Sequence, residues 1–197
     1  MSKFEGVYVL KNVFSALDYE SALADEDLLI DGKIVLENLD YVAMANNKRV
    51  LNAVQSLMGD GKFVLRNLAV ETCLKGVDKR GWVVGPPYDN KPKTATYDAQ
   101  VNGVRVIIPI DNFTVPNGCS MFVPNSHLAR AYPTNERLLL QVFSEADDEL
   151  KLHPCKKRWL ECNLGDAIAF PSTVWHSRGV NTTDEPRRAL VADFQRA

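Results

Sequence analysis

Histidine is scarce in this sequence, which contains only His127, His153 and His176. Chemistry that depends on several imidazoles therefore has almost no residues to use. The four cysteines include no pair with Cys-x-x-Cys spacing, which argues against a structural zinc site. Around Cys155 and Cys162 we predict a proline-containing loop with half-buried thiols, in preference to a soft-metal site that would include His153.

Long apolar runs are also missing, since no stretch approaches the roughly 20 residues that a membrane-spanning helix requires. The first ten residues, MSKFEGVYVL, lack the basic start, long apolar stretch and small-residue cleavage site of a secretory signal. The 23 lysines and arginines nearly balance the 25 aspartates and glutamates, which disfavours an electrostatic nucleic-acid binder. We therefore expect a cytoplasmic protein whose partner is a small molecule, and neither a nucleic acid nor a membrane.

A length of 197 residues with 46% apolar residues is typical of one globular domain, so we predict a single domain over residues 1–197. Its N-terminal part, about 15–60, is predicted to be helical. Segment 16–30 is acidic and rich in alanine and leucine. Segment 46–58 places its apolar residues on one helical face and is followed by Gly59, which predicts a helix that ends there.

Short β-rich runs separated by turn residues make up the remainder of the chain. Alternating strand and helix units are absent from the pattern, which argues against a doubly wound parallel sheet. Many short strands beside a helical part indicate a mainly β protein with flanking helices, built as a sandwich or a jelly-roll barrel. The predicted strands lie at 7–14, 63–70, 104–110, 120–123, 138–143, 158–162, 167–170 and 189–194.

The C-terminal third carries the residue types with the most chemistry. A Gly-Asp turn at 165–166 leads into one predicted strand, and His176 lies in a second. Asn181 follows in a polar turn, and Arg187 and Arg188 begin the last strand. A histidine and an arginine on neighbouring strands can point into one barrel. There the imidazole can bind a metal ion and the guanidinium can hold a carboxylate through two hydrogen bonds.

Four stretches of the chain resemble the phytanoyl-CoA dioxygenase family of iron(II)/2-oxoglutarate-dependent oxygenases. Residues 6–15 are similar to the family's N-terminal strand, and 104–111 with 116–118 to its ALDD…ENG strand and turn. Residues 124–127 resemble its PGSH motif, and 165–187 its GD…F…H…N…R pattern. The resemblance implies a double-stranded β-helix, a cupin-like jelly-roll barrel. It also implies an iron site of two histidines and one carboxylate, with 2-oxoglutarate as cosubstrate.

The resemblance also implies roles for individual residues. His176 matches the family's second iron histidine, and Arg187 matches the arginine that pairs with the far carboxylate of 2-oxoglutarate. Arg188 is the alternative for that arginine, and Ser177 is close enough in sequence to assist cosubstrate binding. His127 matches a motif histidine that is not an iron ligand.

The chain departs from the family at the first two iron ligands. The family's His-x-Asp motif aligns with the segment 81–88, where Val83 occupies the histidine position and Gly85 the aspartate position. Neither side chain can ligate iron. In a second alignment Asp98 takes the carboxylate position, and it would form a two-ligand metal site with His176.

Two main functions are consistent with a sequence that keeps some of the family's motif residues and lacks others. One is an iron(II)/2-oxoglutarate-dependent dioxygenase-like protein that hydroxylates a small molecule, with its missing ligands supplied by Asp98, by Asp89 or by the substrate. The other is a protein of the same fold that has lost the iron site and acts as a metal-free enzyme or as a binding or regulatory pseudo-oxygenase. A third interpretation is an unrelated all-β binding protein, against which an inward-facing His176 and Arg187 would argue.

Overall fold

The computed structural model describes residues 2–4, 6–20, 30–76, 83–87, 91–92, 96–133 and 157–197. Its α-helices are α1 over Leu39–Ala45 and α2 over Lys48–Met58, and 3-10 helices cover Ala16–Tyr19 and Ser126–Ala129. The strands of the described part are β1 Ser2–Phe4, β2 Val7–Leu10, β3 Phe63–Cys73, β4 Gly103–Pro109, β5 Ser120–Phe122, β6 Arg158–Leu160, β7 Ala167–Pro171, β8 His176–Arg178 and β9 Arg187–Arg196.

These strands form two sheets, and every strand pair is antiparallel. The larger sheet has six strands in the order β1-β2-β7-β4-β9-β3, and the smaller has three in the order β6-β5-β8. Apart from β1 and β2, neighbours in the sheets are distant in the chain: β4 lies between β7 and β9, and β5 lies between β6 and β8. The predicted mainly β class with flanking helices, a double-stranded β-helix, is thereby confirmed.

Both helices cover the outer face of the larger sheet. Asn38 begins α1 by accepting hydrogen bonds from two backbone N–H groups of its first turn, and Asn47 begins α2 in the same way with one. The buried stripe of α2, which includes Val50 and Val54, packs on the outward-facing residues of β3, β4, β7 and β9. Within the described residues, no helix is long and apolar enough to cross a membrane.

The opposite face of the larger sheet lines the barrel interior. Because side chains alternate along a strand, Ile107, Ile168 and Val191 point away from the helices and pack between the two sheets. The same alternation carries charges into this layer: Arg105 lies two residues before Ile107 on β4, and Asp193 lies two residues after Val191 on β9. The barrel therefore combines an apolar interior with buried charged side chains.

Most of the predicted elements are confirmed. The helix at 46–58 is α2, and the predicted strands corresponding to β3, β4, β5, β6, β7 and β9 agree with the structure to within three residues at each end. The strand predicted at 7–14 is wrong at its end, because Asn12 has a φ of 52° and its N–H donates to Asp166. Helix α1 was not predicted as a separate element, and the strand at 138–143 lies outside the described residues.

Candidate functional site

His176 lies on β8 with its side chain in the barrel interior, where the residue is 7% exposed. Phe170 and Phe122 pack against the imidazole, with ring centroids 5.0 and 6.4 Å away. The Nδ1 atom is 2.8 Å from the carbonyl oxygen of Val174. Because a carbonyl oxygen only accepts hydrogen bonds, Nδ1 carries the ring proton and Nε2 presents a lone pair to the interior.

Val83 is the backbone partner of His176. The N–H of Val83 donates to the carbonyl of His176 at 3.0 Å, and the N–H of His176 donates back at 3.1 Å. Directly paired antiparallel residues share one face, so the Val83 side chain lies beside the imidazole, and Gly85 faces the same side two residues later. The pairing agrees with the alignment that puts Val83 and Gly85 in the two ligand positions.

Arg105 and Asp193 form an ion pair across the two central strands of the larger sheet. They are directly paired between β4 and β9, and the guanidinium binds the carboxylate through Nε at 2.7 Å and Nη2 at 3.0 Å. The Asp193 side chain is fully buried and also accepts a hydrogen bond from Asn67 on β3. A bidentate pair with a third donor fixes both side chains in one orientation.

The third nitrogen of the Arg105 guanidinium faces His176. Its Nη1 atom is 3.3 Å from Nε2 of the imidazole, and since a guanidinium only donates, Nε2 accepts. Gly85 makes room for this contact, because a Cβ atom there would lie 3.3 Å from both Cζ and Nε of Arg105. A protein cation therefore occupies the direction in which Nε2 of His176 would bind a metal ion.

Burial lowers the pKa of His176 to about 4, and the positive charge of Arg105 acts in the same direction. The hydrogen bond to Val174 and the carboxylates of Glu71 and Asp193 favour the protonated form and are outweighed. His176 is therefore neutral at pH 7, as the hydrogen bond from Arg105 requires.

Acidification is expected to destabilise the fold through His176. The unfolded chain takes up this proton near the ordinary value of 6.5 and the folded chain only near 4, so stability falls as the pH drops from about 6.5 to 4. The pKa difference corresponds to about 3 kcal/mol. We expect the free energy of unfolding of the wild type to fall by about 3 kcal/mol more between pH 7 and pH 4 than that of His176→Gln, as measured by urea unfolding. Equal losses in both proteins would contradict the assignment.

Arg187 lies at the start of β9 and is completely buried. Its guanidinium stacks on the ring of Phe113 at 4.3 Å and donates from Nη2 to Glu71 at 2.8 Å. Among the described residues, the buried Nε and Nη1 atoms of Arg187 find no hydrogen-bond partner. Arg188, the alternative in the sequence, binds Asp111 through two nitrogens instead, so of these two candidates Arg187 is the one with buried unpaired donors among the described residues.

A third ion pair joins the buried Arg178 to the solvent-exposed Asp31, and we call the three pairs together the charged layer. Arg178 on β8 binds Asp31 at 3.0 Å and donates to the carbonyl of Thr72. Burial opposes ionisation of Glu71, but the charge and hydrogen bond of Arg187, with the charges of Arg178 and Arg105, hold the pKa of Glu71 below its ordinary value. As far as the described residues show, three guanidinium groups surround a neutral imidazole, paired with two carboxylates of the larger sheet and with the solvent-exposed carboxylate of Asp31.

Asp98 does not lie on a strand of this layer. The residue is exposed, and the preceding Tyr97 donates its N–H to the carbonyl of Arg130 at 2.7 Å. The neighbouring backbone thus pairs with the turn after β5, whereas the backbone partner of His176 is Val83. A role for Asp98 as a metal ligand stays a prediction.

Ser177 points away from the charged layer. Its neighbours His176 and Arg178 both reach groups of the larger sheet, so alternation along β8 turns Ser177 to the opposite face. Its role beside the cosubstrate stays a prediction. Cys162 is buried and burial raises the pKa of its thiol to about 12, while the segment with His153 and Cys155 lies outside the described residues.

The remaining motif residues build turns. Asp166 accepts hydrogen bonds from Lys11 and from the backbone of Asn12 and Asn163, and thereby fixes the entry to β7. Ser126 accepts the N–H of Trp175 at 2.8 Å and donates to the carbonyl of Val123, joining the turn after β5 to β8. Asn181 shapes the turn before β9 in the same way, through two donated and two accepted hydrogen bonds. These residues position His176 and Arg187 without entering the site.

The donor set does not fit an iron site of two histidines and one carboxylate. In the described residues, no group of three or more histidine, cysteine, aspartate and glutamate side chains could hold a metal ion. Val83 and Gly85 offer no ligating atom beside His176, and the lone pair of His176 already accepts from Arg105. Arg187, in contrast, fits the carboxylate of 2-oxoglutarate that the resemblance implies as its partner, since its buried unpaired donors suit a carboxylate.

The fold defines the class of this protein as a jelly-roll barrel, with His176 and Arg187 buried in it. Solved structures support that class: the 2-oxoglutarate-dependent epimerase SnoN matches with a TM-score of 0.70 and 19% identity over 98% of this chain and 79% of its own. HygX from Streptomyces hygroscopicus with iron bound gives a TM-score of 0.72 and 15% identity over 98% of this chain and 83% of its own.

The family model of phytanoyl-CoA dioxygenase matches residues 20–189, and the chain belongs to this family. The uncharacterized protein Rv1501 of Mycobacterium tuberculosis is 27% identical over 97 residues, which are 49% of this chain and 30% of that protein. The dioxygenase lolE1 of Epichloe uncinata is 21% identical over 171 residues, 78% of this chain and 63% of that enzyme. The chain thus spans less than two thirds of either relative's length.

Sequence reasoning missed Arg105, Asp193 and Glu71. The available signal was a single charged residue inside an apolar predicted strand, Arg105 in 104–110 and Asp193 in 189–194. A buried charge in a central strand needs a partner of opposite sign, and these two lone charges could have been matched on that ground. Glu71 gave a weaker signal, because it lies near the end of β3 among residues that alternate between buried and half-buried.

Proposed function

We propose that this chain is a metal-free member of the phytanoyl-CoA dioxygenase family, which binds a small carboxylate-bearing molecule in its barrel without iron. One observation carries the proposal: the Nε2 atom of His176, the family's iron-binding position, accepts a hydrogen bond from the guanidinium of Arg105. That contact and metal ligation use the same lone pair and exclude each other.

Electrostatics also oppose iron at this position. Arg105 is held by two hydrogen bonds to Asp193, and Asn67 holds that carboxylate in turn. An iron(II) ion on Nε2 of His176 would lie against Nη1, the part of this ion pair that faces the imidazole, and the more distant carboxylate of Asp193 would offset only part of the repulsion. A single imidazole is a weak anchor for iron(II), which ranks low in affinity among divalent metals.

Carboxylate binding is supported by Arg187. The guanidinium is fully buried on Phe113 and offers two donors that no described residue pairs. Buried donors without partners are costly unless a ligand or water satisfies them. The crystallised HygX, with nickel and 2-oxoglutarate bound, has the same fold, so the proposed ligand class for this barrel includes 2-oxoacids.

The alternative is an iron(II)/2-oxoglutarate dioxygenase that hydroxylates a small molecule. Family membership and the iron-bound HygX structure favour it. In that case Asp98 would have to approach His176, Arg105 would have to leave Nε2, and Ser177 would assist the cosubstrate.

Metal and ligand titrations distinguish these functions. Under anaerobic conditions, iron(II) followed by 2-oxoglutarate is expected to give no visible charge-transfer absorption, and the desalted protein should contain no iron by elemental analysis. Calorimetry with succinate should give the same dissociation constant in EDTA and in iron(II), because the site uses no metal. An absorption band together with stoichiometric iron would establish the dioxygenase alternative, and Asp98→Asn would then test its ligand set.

A further inference from the structure

Glu71 is the acidic partner of Arg187 in the described part of the chain. The carboxylate contacts Nη2 through one oxygen, while Nε and Nη1 of the same guanidinium are buried and unpaired among these residues. The contact is therefore monodentate and leaves most of the guanidinium edge unused. A fork-shaped carboxylate ligand would make the more complete contact.

The two partners differ in their access to solvent. The Arg187 side chain is 0% exposed, whereas the Glu71 side chain is 21% exposed. Glu71 lies on β3, which is the edge strand of the larger sheet, so its carboxylate has a path to water. Arg187 has Phe113 on its face and is enclosed. When the pair separates, Glu71 is the partner that leaves.

Charge balance indicates which kind of group replaces Glu71 at Arg187. The three guanidinium groups of the charged layer are matched one to one by carboxylates, and His176 is neutral. If Glu71 moves to solvent, the layer keeps its balance only when another single carboxylate binds Arg187. A buried guanidinium with no counter-charge is strongly unfavourable. The matched pairs are Arg105 with Asp193, Arg178 with Asp31, and Arg187 with Glu71.

We infer that Glu71 is an internal competitor that occupies Arg187 in the unliganded barrel, and that the carboxylate of the ligand displaces it. This inference rests on the proposed metal-free carboxylate binding. Glu71 sets a threshold: a ligand must bind Arg187 better than this tethered carboxylate does. Neutral molecules and single hydrogen-bond acceptors fail that requirement, and forked carboxylates meet it.

Glu71→Gln tests the displacement directly. The substitution removes the competing charge and keeps the side-chain length, so in EDTA we expect succinate and 2-oxoglutarate to bind about tenfold more tightly than to the wild type. Without ligand the variant should melt at a lower temperature, because Arg187 loses its counter-charge, and succinate should restore the melting temperature. Calorimetry and thermal melts measure the two effects.

Asp31→Asn is the matched control. It also removes one carboxylate from the layer, but from Arg178, so a general decrease in negative charge would affect both variants equally. Only Glu71→Gln is expected to bind the probes more tightly. Glu71→Asp keeps the charge but has a shorter reach, so its affinity for the two probes should lie between those of Glu71→Gln and the wild type. This second variant keeps the test decisive if Glu71→Gln folds poorly.

The possible outcomes distinguish failure of the Glu71 displacement from failure of the proposed metal-free carboxylate binding. If the wild type binds succinate and Glu71→Gln binds it no more tightly, or Asp31→Asn gains as much, the displacement is refuted while metal-free binding stands. If neither the wild type nor the Glu71 variants bind either probe, the proposed function fails and the inference fails with it.

Discussion

A variant that combines Val83→His, Gly85→Asp, Arg105→Ala and Asp193→Asn is expected to bind iron(II), whereas the proposed metal-free function predicts that the wild type leaves it unbound. Residue 83 is paired with His176 and residue 85 faces the same side, so the new histidine and aspartate lie beside the imidazole. Removing the Arg105 guanidinium frees Nε2 and the space next to position 85. The fourth substitution avoids a buried unpaired carboxylate.

The measurement is iron content after desalting and the charge-transfer absorption with 2-oxoglutarate under anaerobic conditions. Removing a hydrogen-bond partner of a metal ligand lowers metal affinity by about 10–100-fold. Introducing two ligands should therefore raise the affinity for iron(II) by more than about a hundredfold. The matched control carries Val83→His and Gly85→Asp with Arg105 and Asp193 intact. It should stay iron-free, because the carboxylate introduced at position 85 would pair with Arg105. Iron binding by that control would show that Arg105 is no obstacle.

Asp193→Asn alone is expected to destabilise the fold by about 3–5 kcal/mol, because it leaves the Arg105 charge in the interior without its carboxylate. The double variant Arg105→Met and Asp193→Leu removes both charges at similar volume, and should recover most of that loss. Urea unfolding at pH 7 measures each free energy of unfolding.

The exposed pair of Lys75 and Asp184 provides the control. Their side chains are 59% and 87% exposed, so Asp184→Asn should change stability by less than about 1 kcal/mol. A loss for Asp193→Asn that is as small as this would show that Arg105 finds solvent or another partner, and it would weaken the case against iron.

The fold was predictable because its signals are local. The spacing of apolar residues and the turn clusters located β3, β4, β7 and β9 to within a few residues. His176 and Arg187 were also recognisable, since each belongs to a motif of consecutive turns and strands. Their inward placement is what the resemblance implies and what the unrelated all-β interpretation does not require.

The charged layer was not predictable in the same way. Arg105 and Asp193 are 88 residues apart, and Arg187 and Glu71 are 116 apart. Only the sheet order brings β4 next to β9 and β9 next to β3, and no periodicity within a strand reports which distant strand will be its neighbour. The sequence alignment placed Val83 and Gly85 at two ligand positions of the family, and the structure places the Arg105 guanidinium 3.3 Å from Nε2 of His176.

The fixed tautomer of His176 bears on proton transfer in the barrel. A general base needs an accessible lone pair with a pKa near the working pH. In His176, Nδ1 donates to the carbonyl of Val174, Nε2 accepts from Arg105, and the pKa lies near 4. The imidazole is thus unsuited to act as an acid or base at neutral pH. Of the two proposed modes of action without iron, this favours recognition of a ligand over its chemical conversion.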